Sequence, residues 1–284
     1  MFLVTGATGV VGRPLVQLLV SQGAKVRAVT RDPQAAGLPD GVEVVTADPA
    51  RPGTLADCLE GVTGLFLHPR AVGLAAPELL ALAKDRGVTR VAVLSAVNVD
   101  EDLDHQPSRF NGDRNKEVEA AAVASGLEWV SLRASSFAIN TLVAWGAQIR
   151  AGDVVRGPYA NFSEAPIHER DLAEVGVRAL LSDDLVGRKL QLTGPQSLTH
   201  EELLATIGEV LGRPLRFQEL PPEAVRQGMV GMGMDEAFVV ALLARYARGA
   251  GQPASVTDEV DKALGRPART WAEWVTDHAA AFRD

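Results

Sequence analysis

The sequence predicts an α/β fold, a doubly wound parallel sheet with a smaller, mostly helical lobe at its C-terminal end. Short apolar runs rich in β-branched residues alternate with helical stretches over the first two thirds of the chain, which is typical of a parallel sheet. A glycine-rich turn follows the first run, and helical patterns dominate from Ser197 onward. We expect residues 1–195 to form the sheet domain, with 141–165 contributing to the substrate side, and 196–284 to form the lobe.

The first fifteen residues carry the strongest signal. Residues 1–5 suit a buried strand, and residues 6–12 follow as Gly-Ala-Thr-Gly-Val-Val-Gly before an amphipathic helical run. The G-x-x-G-x-x-G spacing is a variant of the dinucleotide-binding fingerprint, in which glycines permit a tight turn and close approach of the backbone to a pyrophosphate. The helix N-terminus offers free N–H groups to the phosphates. The predicted phosphate-binding residues are Gly6, Thr8, Gly9, Val10, Val11 and Gly12.

Arg31 indicates which dinucleotide binds. It follows the second predicted strand, residues 25–30, nineteen residues beyond Gly12. An arginine at this position accommodates the 2′-phosphate of NADP, whereas an acid would hold the 2′-hydroxyl of NAD. Asp32 competes as that acid, but Asp32-Pro33 is better interpreted as an N-cap and first helical residue. The sequence therefore favours NADPH.

Two further strands, residues 42–46 and 64–67, end in loops at the edge of the sheet where ligands bind. Asp48, followed by Pro49, is placed to accept from an adenine amino group or to cap a helix around 54–59. Leu67, His68 and Pro69 are expected beside the cofactor, although a lone loop histidine is often only a structural hydrogen-bonding group. A fifth strand, 90–94, delivers Ser95 at its tip.

The later elements are predicted to surround a substrate pocket. The acidic loop 98–111 is expected to form a lid or wall. Phe137, Trp145, Met229 and Met232 would line a wide apolar pocket, unless the methionines only fill the core. The remaining predicted elements are helices at 77–86, 113–125, 172–181 (capped by Asp171), 201–211, 223–229, 235–248 and 270–282, and strands at 128–132 and 188–192.

Composition limits the classes of function. The net charge is −8 without a Lys/Arg cluster, so an electrostatic footprint for nucleic acid is lacking. No apolar run is long enough to span a membrane, and no secretion signal is expected at the N-terminus. Cys58 is the only cysteine, which excludes an internal disulfide and a cysteine-based metal site. We expect a cytoplasmic protein without a metal, and the oligomeric state stays open.

Several short motifs, in order, resemble those of the NmrA-like group of atypical short-chain dehydrogenase/reductases, which includes NADPH-dependent quinone reductases and redox-sensing regulators. The resemblance covers nearly the whole chain and implies a Rossmann-like fold. Ser135 and Phe137, after the sixth strand, complete the expected cofactor contacts. The matching residues are 5–12, Arg31, Asp48-Pro49, 125–127, Leu132-Arg133, Phe137, Asn140, Ile167-His168, 171–173, 192–195 and 270–274.

The chain departs from this superfamily at the usual proton donor. Its reductases typically use a serine with Tyr-x-x-x-Lys, in which the tyrosine is the general acid and the lysine lowers its pKa. Ser95 matches the serine, but Asn111 and Asn115 stand at the tyrosine and lysine positions. Lys116 is one residue, about 100° around a helix, out of register. Ser95 and Asn115 are therefore the candidate catalytic residues, without the usual donor.

Three functions fit these residues and the resemblance. The first is an NADPH-dependent reductase of a ketone or quinone, for which an aromatic polyketide would suit the apolar pocket. By analogy with angucyclinone ketoreductases of the simocyclinone type, such an enzyme would act in antibiotic biosynthesis. The second is a redox sensor that binds NADP(H) and a protein partner without turnover. The third is a dehydratase or isomerase that keeps the cofactor site as a scaffold.

Overall fold

A seven-stranded parallel sheet organises the computed structural model, which describes residues 1–283. Eleven strands occur in these residues, and seven of them form this sheet. The eleven are β1 (Phe2–Val4), β2 (Val26–Thr30), β3 (Glu43–Thr46), β4 (Gly64–Leu67), β5 (Arg90–Ala96), β6 (Glu128–Ala134), β7 (Val154–Gly157), β8 (Ser163–Glu164), β9 (Lys189–Leu192), β10 (Leu198–Thr199) and β11 (Arg216–Glu219). The sheet order is β3-β2-β1-β4-β5-β6-β9, and all pairs in it are parallel. The order reverses between β1 and β4, which defines a topological switch point.

Helices cover both faces of this sheet and form the C-terminal lobe. They are α1 (Gly12–Ser21), α2 (Pro69–Val72), α3 (Ala76–Asp85), α4 (Pro107–Phe110), α5 (Asn115–Ala124), α6 (Ala147–Ala151), α7 (Glu169–Leu181), α8 (His200–Leu211), α9 (Pro222–Gly231), α10 (Glu236–Gly249), α11 (Glu259–Leu264) and α12 (Trp271–Asp277). A π-helical turn at Leu142–Gly146 precedes α6. None of the helices in residues 1–283 has the length and apolar character needed to cross a membrane.

The sheet has a separate apolar core on each face. Helices α1, α7 and α11 pack on one face, where a Cβ on Gly176 would lie 2.8 Å from Leu15 Cδ1, so α1 and α7 approach closely. Helices α3 and α5 cover the other face through Leu79, Leu80 and Val118. Both faces are therefore buried, which explains the continuous apolar runs in the strands. The predicted doubly wound fold is confirmed.

A third apolar cluster forms the core of the lobe. It joins residues 138–155 to α8 and α12, and its largest members are Trp145, Trp271 and Trp274. The Trp271 indole donates to the Leu203 carbonyl at 2.9 Å, which fixes α12 against α8. Residues around 141–155 thus pack with the C-terminal helices. In contrast, α11 returns to pack against α7. The contribution of 141–165 to the substrate side stays a prediction.

Three local predictions are wrong. Residues 54–59 form parts of two 3₁₀ turns, Pro52–Leu55 and Asp57–Leu59, rather than one helix. Asp32 caps a turn instead of a helix, because its carboxylate accepts from the amides of Gln34 at 3.1 Å and Ala35 at 3.2 Å. Ser95 does not lie at the tip of β5, since the strand continues to Ala96.

The cap of α7 also differs from the prediction. His168 is its N-cap, and Nδ1 of that side chain accepts from the Arg170 amide at 3.2 Å. Asp171, the predicted cap, lies inside the first turn and is fully buried. It forms ion pairs with Arg266 at 2.7 Å and with Arg269, so it ties α7 to the segment before α12.

Candidate active site

The glycine loop follows β1 at the switch point of the sheet. Gly6 has φ +63°, and a Cβ there would lie 2.8 Å from Cβ of His68. A Cβ on Gly12 would lie 2.1 Å from the carbonyl oxygen of Gly6. Side chains are therefore excluded at both positions. The tight turn leads into α1 and leaves Thr8, Gly9 and Val10 exposed.

Unpaired backbone amides at the start of α1 fit an anionic group. The helix begins after Val11, which provides no side-chain cap. Within residues 1–283, the amides of Val10 and Val11 have no hydrogen-bond acceptor, whereas Gly9 donates to the Gly6 carbonyl at 3.0 Å. Free amides and the positive end of a helix dipole at a glycine loop are the features that bind a pyrophosphate. The loop therefore fits the phosphates of a dinucleotide.

Arg31 and Asp48 follow β2 and β3 at the same edge. Arg31 is exposed and makes no hydrogen bond or ion pair with the residues that the structure describes. Its guanidinium is thus free for a phosphate, as its predicted role requires. Asp48 is already a turn cap, because its carboxylate accepts from the Ala50 amide at 3.1 Å and lies 3.7 Å from Arg51. Pro49 beside it is buried, and its predicted contact with the cofactor stays a prediction.

His68 lies against the glycine loop and caps α2. Its Nδ1 accepts from the Arg70 amide at 3.2 Å, and its own amide donates to Thr5 Oγ1 at 2.8 Å. Burial lowers the pKa of His68, so the imidazole is neutral and serves as an N-cap. Its neighbours Leu67 and Pro69 are buried, and the Leu67 side chain lies in the core beneath α3. Only the backbone of Leu67 is available for a cofactor.

Ser95 belongs to a buried ionic group inside the sheet. Its hydroxyl donates to Glu119 Oε2 at 2.9 Å, and its side chain is only 3% exposed. Glu119 also accepts from Arg133 Nη2 at 2.6 Å and from Ser131 at 2.5 Å. Burial alone would raise the pKa of Glu119, but the hydrogen bonds from Arg133, Ser131 and Ser95 outweigh it and lower the pKa to about 2. The carboxylate is therefore charged, and it accepts the hydrogen bond from the only hydroxyl proton of Ser95.

The same group anchors the acidic loop. Arg133 Nη1 lies 2.6 Å from Asp100 Oδ2, although Asp100 itself is largely exposed. Burial would lower the pKa of Arg133, but the hydrogen bond to Glu119, which is the largest influence, raises it, so the guanidinium stays charged. Arg133 thus links the buried end of β6 to residues 98–111 at the carboxyl edge of the sheet.

Both predicted catalytic residues, Ser95 and Asn115, are buried and hydrogen-bonded. Asn115 is 8% exposed at the start of α5, and its amide donates to Ser108 Oγ at 3.3 Å. Asn111 is exposed after α4. Tyr246, one of the two tyrosines, packs against Phe162 with ring centroids 4.6 Å apart, and burial raises its pKa. The residues so far described supply no ready general acid.

A cleft of about 310 Å³ opens at the carboxyl edge of β5, β6 and β9. Val97, Glu101, Ser135 and Ser136 line it, together with residues at the end of α10. A larger groove, of about 770 Å³, lies at the outer side of β9 and α11, away from the glycine loop. The first cleft lies on the ligand-binding edge and is therefore the candidate substrate cleft.

One ion pair in this cleft has no counterpart in the sequence prediction. Arg245 Nη1 lies 3.0 Å from Glu164 Oε1, and Arg245 Nη2 donates to Ser136 Oγ at 3.0 Å. Ser136 in turn donates to Glu164 Oε1 at 2.7 Å. Burial would raise the pKa of Glu164, but Arg245 and His200 lower it, so Glu164 and Arg245 are both charged. The three residues come from segments that no local pattern connects.

The predicted pocket residues are dispersed. Trp145 does not line the cleft, because it is 8% exposed in the lobe core, 5.6 Å from the ring of His200. Met232 is 74% exposed at the end of α9, and Met229 is half-buried on that helix, so neither reaches the cleft wall. Phe137 is half-buried after Ser136 and pairs with Ile167. Ser135 lines the cleft and donates to the Ala165 carbonyl at 2.6 Å.

Asp102, Asp104 and His105 offer the only grouped metal-ligand atoms in residues 1–283, all within 4.8 Å of one another. The two carboxylates are exposed and lie in the acidic loop rather than in the cleft. The expectation of a protein without a metal stays a prediction.

Comparison with known proteins gives full-length relatives. A family model described as NAD(P)H-binding matches residues 6–183. The chain is 35% identical over 284 residues to a (4-alkanoyl-5-oxo-2,5-dihydrofuran-3-yl)methyl phosphate reductase of Streptomyces griseus, with 99% of each chain covered. It is 33% identical over 289 residues to an NAD(P)H azoreductase of Xenophilus azovorans, again with 99% of each covered.

Two solved structures have the same fold. An NADPH-dependent quinone oxidoreductase from Escherichia coli superposes with a TM-score of 0.81 at 23% identity, covering 98% of this chain and 99% of that chain. A Citrobacter sp. triphenylmethane reductase complexed with NADP(H) gives a TM-score of 0.80 at 21% identity, covering 97% and 99%.

Proposed function

The chain belongs to the NAD(P)H-binding family, and from that premise we propose that it transfers a hydride from NADPH to a ketone or quinone. It is an oxidoreductase of the NmrA-like, atypical short-chain dehydrogenase/reductase type, with NADPH as its cofactor. The observation that carries the proposal is the glycine loop at the switch point, where the amides of Val10 and Val11 are free and side chains are excluded at Gly6 and Gly12.

The residues around this edge suit each part of the cofactor. The loop and the start of α1 would hold the pyrophosphate, and Arg31 would contact the 2′-phosphate. His68, neutral and packed on Gly6, fixes the shape of the loop from β4. Ser135 and Phe137, after β6, would lie beside the nicotinamide end. The bound cofactor supplies the hydride, so the protein must position the acceptor in the adjoining cleft.

The names of the two curated relatives support an acceptor with a conjugated, electron-poor π system. One relative acts on an acylated unsaturated lactone phosphate and the other on azo compounds. In such acceptors the negative charge that follows hydride addition is delocalised, so little help from a general acid is needed. Asn111 and Asn115 at the usual tyrosine and lysine positions agree with this requirement. We propose a quinone, including a quinone-like polycyclic polyketide, as the acceptor. A planar aromatic ketone is the second candidate, and because its reduction gives a localised alkoxide it would need a hydrogen-bond donor in the cleft.

The test is NADPH oxidation, followed by absorbance, with purified protein and a panel of acceptors. The panel holds a naphthoquinone, a polycyclic aromatic ketone, an acylated butenolide and an azo dye, with NADH and enzyme-free controls. Steady consumption of NADPH with a reduced product identified by mass supports the proposal. Tight NADPH binding without turnover on any acceptor contradicts it and favours the redox-sensor function.

A further inference from the structure

We propose that Arg245 is the electrophilic group of the substrate cleft, which stabilises the negative charge that develops on the acceptor during hydride transfer. This inference rests on the proposed function and names the residue that replaces the missing tyrosine and lysine. It also restricts the acceptor to those whose reduction passes through a stabilised oxyanion or nitrogen anion.

Contacts on several sides hold the Arg245 side chain rigidly in the cleft. Glu164 and Ser136 fix its two terminal nitrogens, each at 3.0 Å. Its guanidinium carbon lies 5.2 Å from the centroid of the Phe162 ring, so the planar group also packs over an aromatic face. A donor that is already oriented before the reaction costs no reorganisation when charge appears. Arg245 therefore has the rigidity of a preorganised anion-binding group.

The guanidinium also keeps free donors toward the cleft. An arginine has five N–H groups, and within residues 1–283 only the contacts to Glu164 and Ser136 engage those of Arg245. Its side chain is 32% exposed and lines the cleft together with Val97 and Ser135. Ser135 and Ser136 follow β6 directly, at the carboxyl edge of the sheet. The free N–H groups are thus available to an acceptor bound in the cleft.

The chemistry balances without a strong acid. NADPH is oxidised and gives a hydride to one end of the acceptor π bond, and the π electron pair moves to the oxygen or nitrogen at the other end. Arg245 donates hydrogen bonds to that atom and keeps its own proton, since a guanidinium does not deprotonate in proteins. A solvent proton then completes the reduction. Glu164 is ionised and is not the proton donor. Its role is to hold the Arg245 guanidinium in place through their ion pair.

Steady-state kinetics of Arg245→Ala and Arg245→Lys test this role. We expect Arg245→Ala to lower kcat by about 10²–10³-fold, the effect of removing one oxyanion donor, while the Kd for NADPH changes less than twofold. Arg245→Lys should recover part of kcat, and guanidinium ion should restore Arg245→Ala more than sodium at equal ionic strength. Arg245→Ala alone leaves the Glu164 carboxylate without its ion-pair partner. The double variant Glu164→Gln/Arg245→Ala removes that charge as well and repeats the test. Arg226→Ala is the matched control, because Arg226 forms ion pairs with Glu223 and Glu236 away from the cleft.

A probe that needs no turnover separates this inference from the proposed function. The phenolate of 4-nitrophenol mimics the anionic product oxygen, and its absorbance reports its protonation. We expect wild-type protein saturated with NADP⁺ to lower the pKa of the bound phenol, and Arg245→Ala to abolish that shift. The shift supports an anion-binding role of Arg245 in the cleft even if no acceptor is reduced. In that case the proposed function fails, while the contact between Arg245 and a bound anion stands. An unchanged kcat in both Arg245→Ala forms, or equal phenol pKa values in wild type and variant, overturns the inference.

Discussion

Ser95 donates its only hydroxyl proton to Glu119 at 2.9 Å, and both side chains are buried. Glu119 is charged, because the hydrogen bonds from Arg133, Ser131 and Ser95 lower its pKa to about 2 against the opposing effect of burial. A hydroxyl held by a buried carboxylate stabilises the sheet and is not available to an acceptor. The serine that matches the superfamily pattern thus has a structural partner in this chain.

Replacing Ser95 with alanine should therefore affect stability more than turnover. Ser131→Ala is the matched control, because Ser131 also donates to Glu119 Oε2, at 2.5 Å. Each variant loses one hydrogen bond to a charged group, which costs about 1.5–3 kcal/mol of unfolding free energy. We expect similar losses in urea unfolding and less than about tenfold loss of kcat in both. A loss of about 10²-fold or more in Ser95→Ala alone would identify Ser95 as a proton donor.

Glu119 should make the fold sensitive to acid over a defined range. Its pKa is about 2 in the folded chain and 4.5 in the unfolded reference, so the unfolded state binds the proton more readily. The carboxylate then contributes stability above about pH 4.5, which is lost as the pH falls toward 2. Glu119→Gln should be less stable than wild type in urea at pH 7, and the difference should narrow at pH 3. A difference that stays constant would contradict the depressed pKa. Glu209→Gln serves as control, because the Glu209 side chain is exposed and makes no hydrogen bond or ion pair within residues 1–283.

The fold and the phosphate-binding loop were predictable because their signals are local. The apolar runs define the strands, and the spacing of Gly6, Gly9 and Gly12 defines the turn before α1. The charged group of the cleft was not predictable in this way. Ser136 meets Glu164 over a separation of 28 residues and Arg245 over 109, and only the closed fold brings these segments together.

The position of an aromatic residue, in a ligand pocket or in a core, is a second feature that could not be predicted from the sequence. The apolar character of Trp145 is the same in a ligand pocket and in a core, and only its distant partners distinguish the two. The structure places His200 and Phe217 around it, so Trp145 packs the lobe. Asp171 shows the same limit. In the sequence, an aspartate that caps a helix cannot be distinguished from one that forms a buried ion pair, and only the fold brings Arg266 and Arg269 to Asp171.

Gly12→Ala should disrupt the phosphate-binding loop. The added Cβ would lie 2.1 Å from the Gly6 carbonyl oxygen, which cannot move without opening the turn. Overpacking of this kind costs about 1–3 kcal/mol, and we expect a lower Tm and at least about tenfold weaker NADPH binding by fluorescence titration. Gly53→Ala is the control, because its Cβ would meet nothing within 4 Å. Wild-type affinity in Gly12→Ala would show that this turn is not the pyrophosphate site.

Arg31 should decide the preference for NADPH over NADH. Its side chain is exposed and unpaired within residues 1–283, so removing it leaves no buried charge and should not change the Tm. A charge-assisted contact to the 2′-phosphate is worth about 1.5–3 kcal/mol, so Arg31→Ala should weaken NADPH binding by about 10- to 100-fold and leave NADH binding nearly unchanged. Lys25→Ala, an exposed cation at the opposite end of β2, controls for the general loss of positive charge. Equal losses for the two dinucleotides would exclude a specific 2′-phosphate contact, and the preference would then have to come from another basic side chain near the loop, such as Arg13, whose guanidinium donates to the Gly37 carbonyl.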